Sequence, residues 1–168
     1  MLLNRAEQGK IKECHGDLHL KNICLWHDKI QLFDRIEFNK SFRFVDTMYD
    51  VAFAVMDLEA MNNQDFANAF LNSYLENTGD WRLLLLPLYL SRQAYVRAKV
   101  NSFLLYDSEI SEAEREEAKQ SASKYYRQAY QYTQQNAGTG SLIMMSGLSG
   151  SGKSTVAQNI VRNISAIQ

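Results

Sequence analysis

Between residues 147 and 154 the chain reads Gly147-Leu148-Ser149-Gly150-Ser151-Gly152-Lys153-Ser154, a string that tolerates very few backbone environments. It matches the Walker A pattern, G-x-x-x-x-G-K-S. The glycines let successive backbone N–H groups turn toward one centre, where a helix N-terminus adds its positive end; the lysine reaches the terminal phosphates and the serine hydroxyl a magnesium ion. That arrangement needs a strand to deliver the loop and a helix to leave it. The flanks comply: Ser141-Leu142-Ile143-Met144-Met145-Ser146 reads as a short apolar strand, and Ser154 to Ser165 has a helical pattern. Gly147, Gly150, Ser151, Gly152, Lys153, Ser154 and Thr155 are therefore the candidate contacts for ATP, with Ser154 also a candidate ligand for Mg2+.

A second constellation lies near the other end. In His15-Gly16-Asp17-Leu18-His19-Leu20-Lys21-Asn22 an aspartate and an asparagine stand five residues apart, and Asp34 follows a predicted hairpin of Ile23-Cys24-Leu25-Trp26 and Ile30-Gln31-Leu32-Phe33 joined at His27-Asp28-Lys29. Phosphoryl transfer requires a carboxylate to orient and deprotonate an acceptor hydroxyl, and oxygen ligands to hold magnesium against the phosphates. Asp17 suits the base, and Asn22 and Asp34 suit the metal. His15 reads as a packed, hydrogen-bonded loop residue rather than a proton carrier. For His19 and Lys21 both a phosphate-facing and a solvent-facing role stay open, and Glu37 is either a further ligand or a surface charge.

These residues resemble the catalytic loop and metal-binding aspartate of the aminoglycoside phosphotransferase family, whose fold is similar to that of protein kinases. The family's HxDxxxxN pattern is carried here by His15, Asp17 and Asn22, and the likeness continues through Asp34-Arg35-Ile36-Glu37-Phe38-Asn39 and the stretch Val45 to Phe53. The resemblance implies that Asp50 is a scaffold residue whose carboxylate accepts hydrogen bonds from the loop backbone. It also implies an N-terminal lobe with a phosphate-covering loop and a lysine–glutamate pair, which the fourteen residues before His15 do not accommodate. The glycine loop resembles that of small P-loop kinases, and the order of the two halves looks like bacterial bifunctional aminoglycoside phosphotransferase/ATP-binding proteins.

The fold class expected is α+β: residues 1–135 as a mainly helical C-terminal lobe of a protein-kinase-like fold with a short hairpin, 136–140 (Asn136-Ala137-Gly138-Thr139-Gly140) as linker, and 141–168 as an incomplete α/β P-loop unit. Apolar spacing predicts helices from Val45 to Met61, from about Asp65 to Glu76 with a stop at Asn77-Thr78-Gly79, and from Ser111 to Gln135. The stretch Trp81 to Leu105, with Pro87 inside, reads as a kinked or broken helix. Asp46, Asp57 and Glu59 read as surface charges rather than attractors of a cationic acceptor.

A formal net charge of -1 offers no general attraction to nucleic acid or anionic membrane, so neither is an expected partner. Cys14 and Cys24 lack metal or disulfide spacing and read as buried free thiols of a cytoplasmic chain. The expected activity is ATP-dependent phosphorylation of a small-molecule hydroxyl acceptor by the parent protein. This piece by itself is expected to be a poor enzyme, with self-association through surfaces that a missing lobe leaves open. The competing readings are a noncatalytic module that senses nucleotide through its P-loop, and a truncated product without activity.

Overall fold

The structure, a computed structural model, describes residues 2–134, 141–164 and 166–167. Among them the elements run α1 (Leu2–Glu7), β1 (Ile11–Glu13), β2 (Ile23–Trp26), β3 (Lys29–Leu32), β4 (Phe44–Asp46), α2 (Thr47–Ala60), α3 (Gln64–Thr78), α4 (Leu86–Leu104), α5 (Glu112–Gln134) and α6 (Lys153–Ile164). The fold is α+β and mainly helical, with two antiparallel two-stranded sheets, β1 with β4 and β2 with β3. The predicted linker lies outside the described residues.

Helix α2 is the centre. Met48, Ala52, Phe53, Val55 and Met56 are each at most 3% exposed, and a helix apolar on nearly every side forms only inside a layer of others. Its cover comes from Ala67, Leu71 and Leu75 of α3, from Leu86, Tyr89, Leu90 and Ala94 of α4, and from Ala129 and Tyr132 of α5. Burying one leucine or phenylalanine there contributes about 1.5–3 kcal/mol. Helix α5 runs antiparallel along α4, as the contacts Ser91 with Ala129 and Tyr95 with Tyr126 show. It opens on a reciprocal cap: Glu114 accepts from the Ser111 N–H at 2.8 Å, and the Glu114 N–H donates to the Ser111 hydroxyl at 3.3 Å.

Local chemistry sets the other boundaries. The two central residues of the β2–β3 turn, His27 and Asp28, have φ of 48° and 58°, the left-handed pair that a two-residue hairpin turn requires. Gly79, at φ 62°, ends α3 and donates to the Leu75 carbonyl at 2.8 Å. Pro87 does not kink a helix. It sits in the first turn of α4, where its missing N–H has no partner to lose, and a 3-10 turn over Leu83–Leu85 precedes it.

Two expectations are corrected. The first concerns Asp46: α1 delivers Arg5 into the interior, and β1 pairs with β4. Arg5 is 3% exposed and donates to both carboxylate oxygens of Asp80, at 3.0 and 2.8 Å, and to both of Asp46. Asp46 also caps α2 through the Met48 N–H and accepts from the Tyr89 hydroxyl, so it is a buried anchor and not a surface charge. Secondly, residues 141–146 form no strand. A strand exists only against a partner, and no described residue pairs with this segment, which leaves Leu142 and Met144 more than 80% exposed.

The Arg5 network makes two tests. Removing Asp80 leaves a buried guanidinium half-paired, so Asp80→Ala is expected to destabilise the chain by about 3–5 kcal/mol in chemical denaturation. Burial pushes the Asp80 carboxyl up, but the hydrogen bonds and charge of Arg5 outweigh it and hold the carboxyl below its ordinary value. The wild-type chain therefore keeps this stabilisation above about pH 4 and loses it in more acid solution, a slope that urea melts in the Asp80→Ala variant should lack.

Candidate functional site

The loop from His15 to Asn22 leaves β1 and passes beneath α2, whose carboxylates shape it. Asp50 accepts the backbone N–H groups of His15 at 2.7 Å and Gly16 at 2.9 Å, the scaffold geometry expected of that residue. One helical face further along, Asp57 accepts the Leu20 N–H at 3.0 Å and the Tyr125 hydroxyl at 2.7 Å. Gly16 has φ 86° and is packed so closely that a Cβ would stand 3.0 Å from Ile36 Cδ1, so the bend is built for glycine. His15 is a packed loop residue as expected, its Nε2 2.8 Å from the Phe33 carbonyl oxygen.

The two fixed amides turn Asp17 outward. Its side chain is 40% exposed and has His19 Nε2 3.5 Å away. Hydrogen bonding to His19 holds the Asp17 carboxyl below its usual range against the opposing effect of burial, and the charges of His19 and Arg97 add to this. His19 does not face solvent: it is 8% exposed and meets Phe53 edge-on at 5.6 Å. Lys21 and Glu37 are exposed.

Asn22 is buried, and its amide nitrogen donates to the Asp17 carbonyl at 3.0 Å. Asp34 is exposed at φ 57° in a segment tied to the loop on both sides, through Phe33 N–H to the Asn22 carbonyl at 3.1 Å and Ile36 N–H to the His15 carbonyl at 3.2 Å. The structure thus brings Asp17, Asn22 and Asp34 into one loop cluster. Asn22 and Asp34 are hard oxygen donors of the kind magnesium takes, and with its nitrogen engaged Asn22 has its amide oxygen as the ligand end.

A cleft of about 350 Å³ opens beside Asp17, walled by Phe42, Tyr49 and Phe53 and by Arg92, Gln93 and Val96 of α4. Gln93 closes its base by donating to the Tyr49 carbonyl at 3.2 Å. The α4 wall was not singled out from the sequence, although Arg92, Gln93, Val96 and Arg97 fall on one helical face within an apolar stretch, the available signal.

The second constellation is separate. Helix α6 begins at Lys153, and Gly150 and Gly152 take φ of 78° and 81° with open space where a side chain would stand. The Lys153 ammonium donates to the Gly147 and Leu148 carbonyls at 2.8 and 2.6 Å, so the loop curls around its own lysine. Ser154 and Thr155 are exposed. The following segment is clasped by α3, where the Asn68 and Asn72 amides donate to the Ala166 carbonyl at 2.9 and 3.1 Å.

Three further expectations change. Cys24 is exposed in the hairpin rather than buried; Cys14 is partly covered, and burial pushes its thiol up to about 11. Asp57 is 1% exposed, and Glu59 accepts from the Tyr132 hydroxyl, so neither is a free surface charge. No helix among the described residues is long and apolar enough to cross a membrane.

No family model matches the chain, and no solved structure matches it. Over 167 residues, 99% of its length, it is 30% identical to an uncharacterized protein of Mycobacterium bovis and to uncharacterized proteins of two strains of Mycobacterium tuberculosis. The chain spans about a third of the length of these curated relatives, 32% of each. The match therefore includes both the His15–Asn22 loop and the glycine loop.

The Asp50 contacts carry a direct test. Asp50→Asn offers an amide where two N–H groups need acceptors, and is expected to cost about 2–3 kcal/mol in thermal or urea unfolding. Amide exchange at His15 and Gly16 should accelerate selectively, whereas exchange in α3 and α5 should keep pace only with the global change.

Proposed function

We propose that this chain carries the base and metal-binding loop of an ATP-dependent phosphotransferase that acts on a small-molecule hydroxyl, followed by a P-loop that binds ATP. The observation that carries the reading is the Asp50 carboxylate clasping the His15 and Gly16 amides while Asp17 stands ionised at the mouth of a cleft. The support is chemical as well as geometric. It agrees with the resemblance of HGDLHLKN and Asp34 to the aminoglycoside phosphotransferase loop within a protein-kinase-like lobe, and with the Walker A pattern at the start of α6.

In this reading the acceptor hydroxyl sits within hydrogen-bond reach of Asp17, which takes its proton. The hydroxyl oxygen forms a bond to the terminal phosphorus of ATP, the bond from that phosphorus to the bridging oxygen breaks, and ADP departs with the electron pair. Asn22 and Asp34 would hold a magnesium ion, which would supply positive charge to offset that of the phosphates. His19 keeps Asp17 oriented and ionised, and Asp50 and Asp57 hold the loop against displacement. At the glycine loop, Lys153 exchanges the Gly147 and Leu148 carbonyls for phosphate oxygens and Ser154 provides a hydroxyl for a second magnesium. A nucleotide-sensing module without transfer is the alternative, favoured by the glycine loop carrying the Walker A residues on its own elements, apart from Asp17.

Binding of labelled ATP with and without magnesium, followed by transfer to acceptor, tests both. Lys153→Ala is expected to remove P-loop binding, and Asp34→Ala to weaken the magnesium-dependent part. Asp17→Asn should leave binding intact and lower transfer by about 10²–10⁴-fold. Transfer that is unchanged in Asp17→Asn refutes the phosphotransferase reading and leaves the sensor. Because Asp17 is held below the usual carboxylate range, wild-type transfer should stay level from neutral pH down to about pH 4 before it falls.

A further inference from the structure

We propose that the cleft beside Asp17 selects an anionic acceptor, a polyhydroxyl compound bearing a carboxylate, and that Arg92 anchors the carboxylate; this rests on the reading of Asp17 as the base that faces the acceptor. The way the cleft holds its one cation carries the proposal. Its lining holds one carboxylate, Asp17, and one cation, Arg92. The Arg92 guanidinium lies 5.1 Å from the centre of the Tyr49 ring and donates to the Tyr49 hydroxyl, which holds the fork in place while using one of its five N–H groups. A planar fork fixed on an aromatic face matches a carboxylate in two parallel hydrogen bonds, which a lysine or a neutral amide does not reproduce.

A second cation reinforces the sign. Arg97 packs over the Tyr125 ring at 5.8 Å, its charge acts on Asp17, and its Nε is buried without a hydrogen-bond partner. A polyamine sugar in the cleft would meet the Arg92 guanidinium and would have Asp17 as the one carboxylate of the lining to receive its several ammonium groups. The acidic residues of α2 and its cap are engaged elsewhere: Asp46 by Arg5, Asp50 by two backbone amides, Asp57 by Leu20 and Tyr125, and Glu59 by Tyr132. Like charges facing across a cleft reject a ligand as firmly as opposite charges select one. The volume of about 350 Å³ is at the small end for ligand sites and fits a single sugar-sized molecule.

The test uses three hexose probes that differ mainly in charge: glucuronate, glucose and glucosamine, each titrated calorimetrically into the whole chain. Glucuronate is expected to saturate, with glucose at least about tenfold weaker and glucosamine weaker still. Arg92→Gln should weaken glucuronate by about tenfold without changing glucose, and Arg92→Lys should restore part of the loss. Arg92 is exposed and bonds only Tyr49 among the described hydrogen bonds, so its variants should melt as the wild type does. Glucosamine binding better than glucuronate, glucuronate binding unaltered in Arg92→Gln, or no binding of glucuronate would each overturn the proposal. Asp17→Asn separates the two ideas: glucuronate binding that persists while phosphate transfer is lost supports both, and transfer that persists sinks the phosphotransferase reading while leaving the charge preference of the cleft to stand or fall on the Arg92 variants.

Discussion

A buried carboxylate that accepts backbone N–H groups gains stability and imposes shape at once, and α2 uses this device twice. Asp50 takes the amides of His15 and Gly16, and Asp57 takes that of Leu20, so the loop between β1 and β2 is pinned at its entry and near its end. Asp46, at the cap of the same helix, fixes Arg5 and with it the first helix and strand. The spacing of four and then seven residues puts all three on one face of a helix whose other buried residues are apolar. Without that face the loop would have polar backbone groups and no acceptors for them in the interior.

The two phosphate-type motifs differ in how far they are supported. The His15–Asn22 loop is held by α2, by the segment around Asp34 and through Tyr125 by α5, so its side chains have defined partners and Asp17 has a defined direction. The glycine loop has the φ pattern and the following helix, but the apolar residues 142–145 that precede it have no pairing strand among the described residues, and α6 has no buried residue. Among the described residues it meets α3, where two asparagine amides donate to the Ala166 carbonyl. The β2–β3 hairpin is similarly uncovered, with Leu25, Trp26 and Ile30 each at least 65% exposed. Apolar surface of this kind marks a place where further protein surface can pack.

Legibility in the sequence followed the range of the interaction. The hairpin, the helix over residues 47–60, the stop at Gly79 and the long helix to Gln134 depend on neighbours within a few residues, through apolar period, turn chemistry and caps, and all were readable. Asp17, Asn22, Asp34 and Lys153 stood out as candidates because loop chemistry needs those types at close spacing. The role of Asp57, 37 residues from its partner Leu20, was not, because an aspartate on a helix looks the same whether it faces water or an amide. Arg5, Arg92 and the burial of His19 were missed for the same reason, and Pro87 was misread because a proline in a first turn and one in mid-helix differ only by where the helix begins.

By itself the sequence determined an α+β, mainly helical chain with distinctive loops at residues 15–22 and 147–154, since periodicity, glycine placement and motif spacing are properties of adjacent residues. Only the tertiary structure decided which carboxylates hold the backbone and which one remains free to meet a ligand, and it placed Arg92 across a cleft from Asp17, 75 residues away in the chain. The physical reason is that a charged side chain is defined by its partner and its access to water, and both are fixed when α2, α4 and α5 pack together.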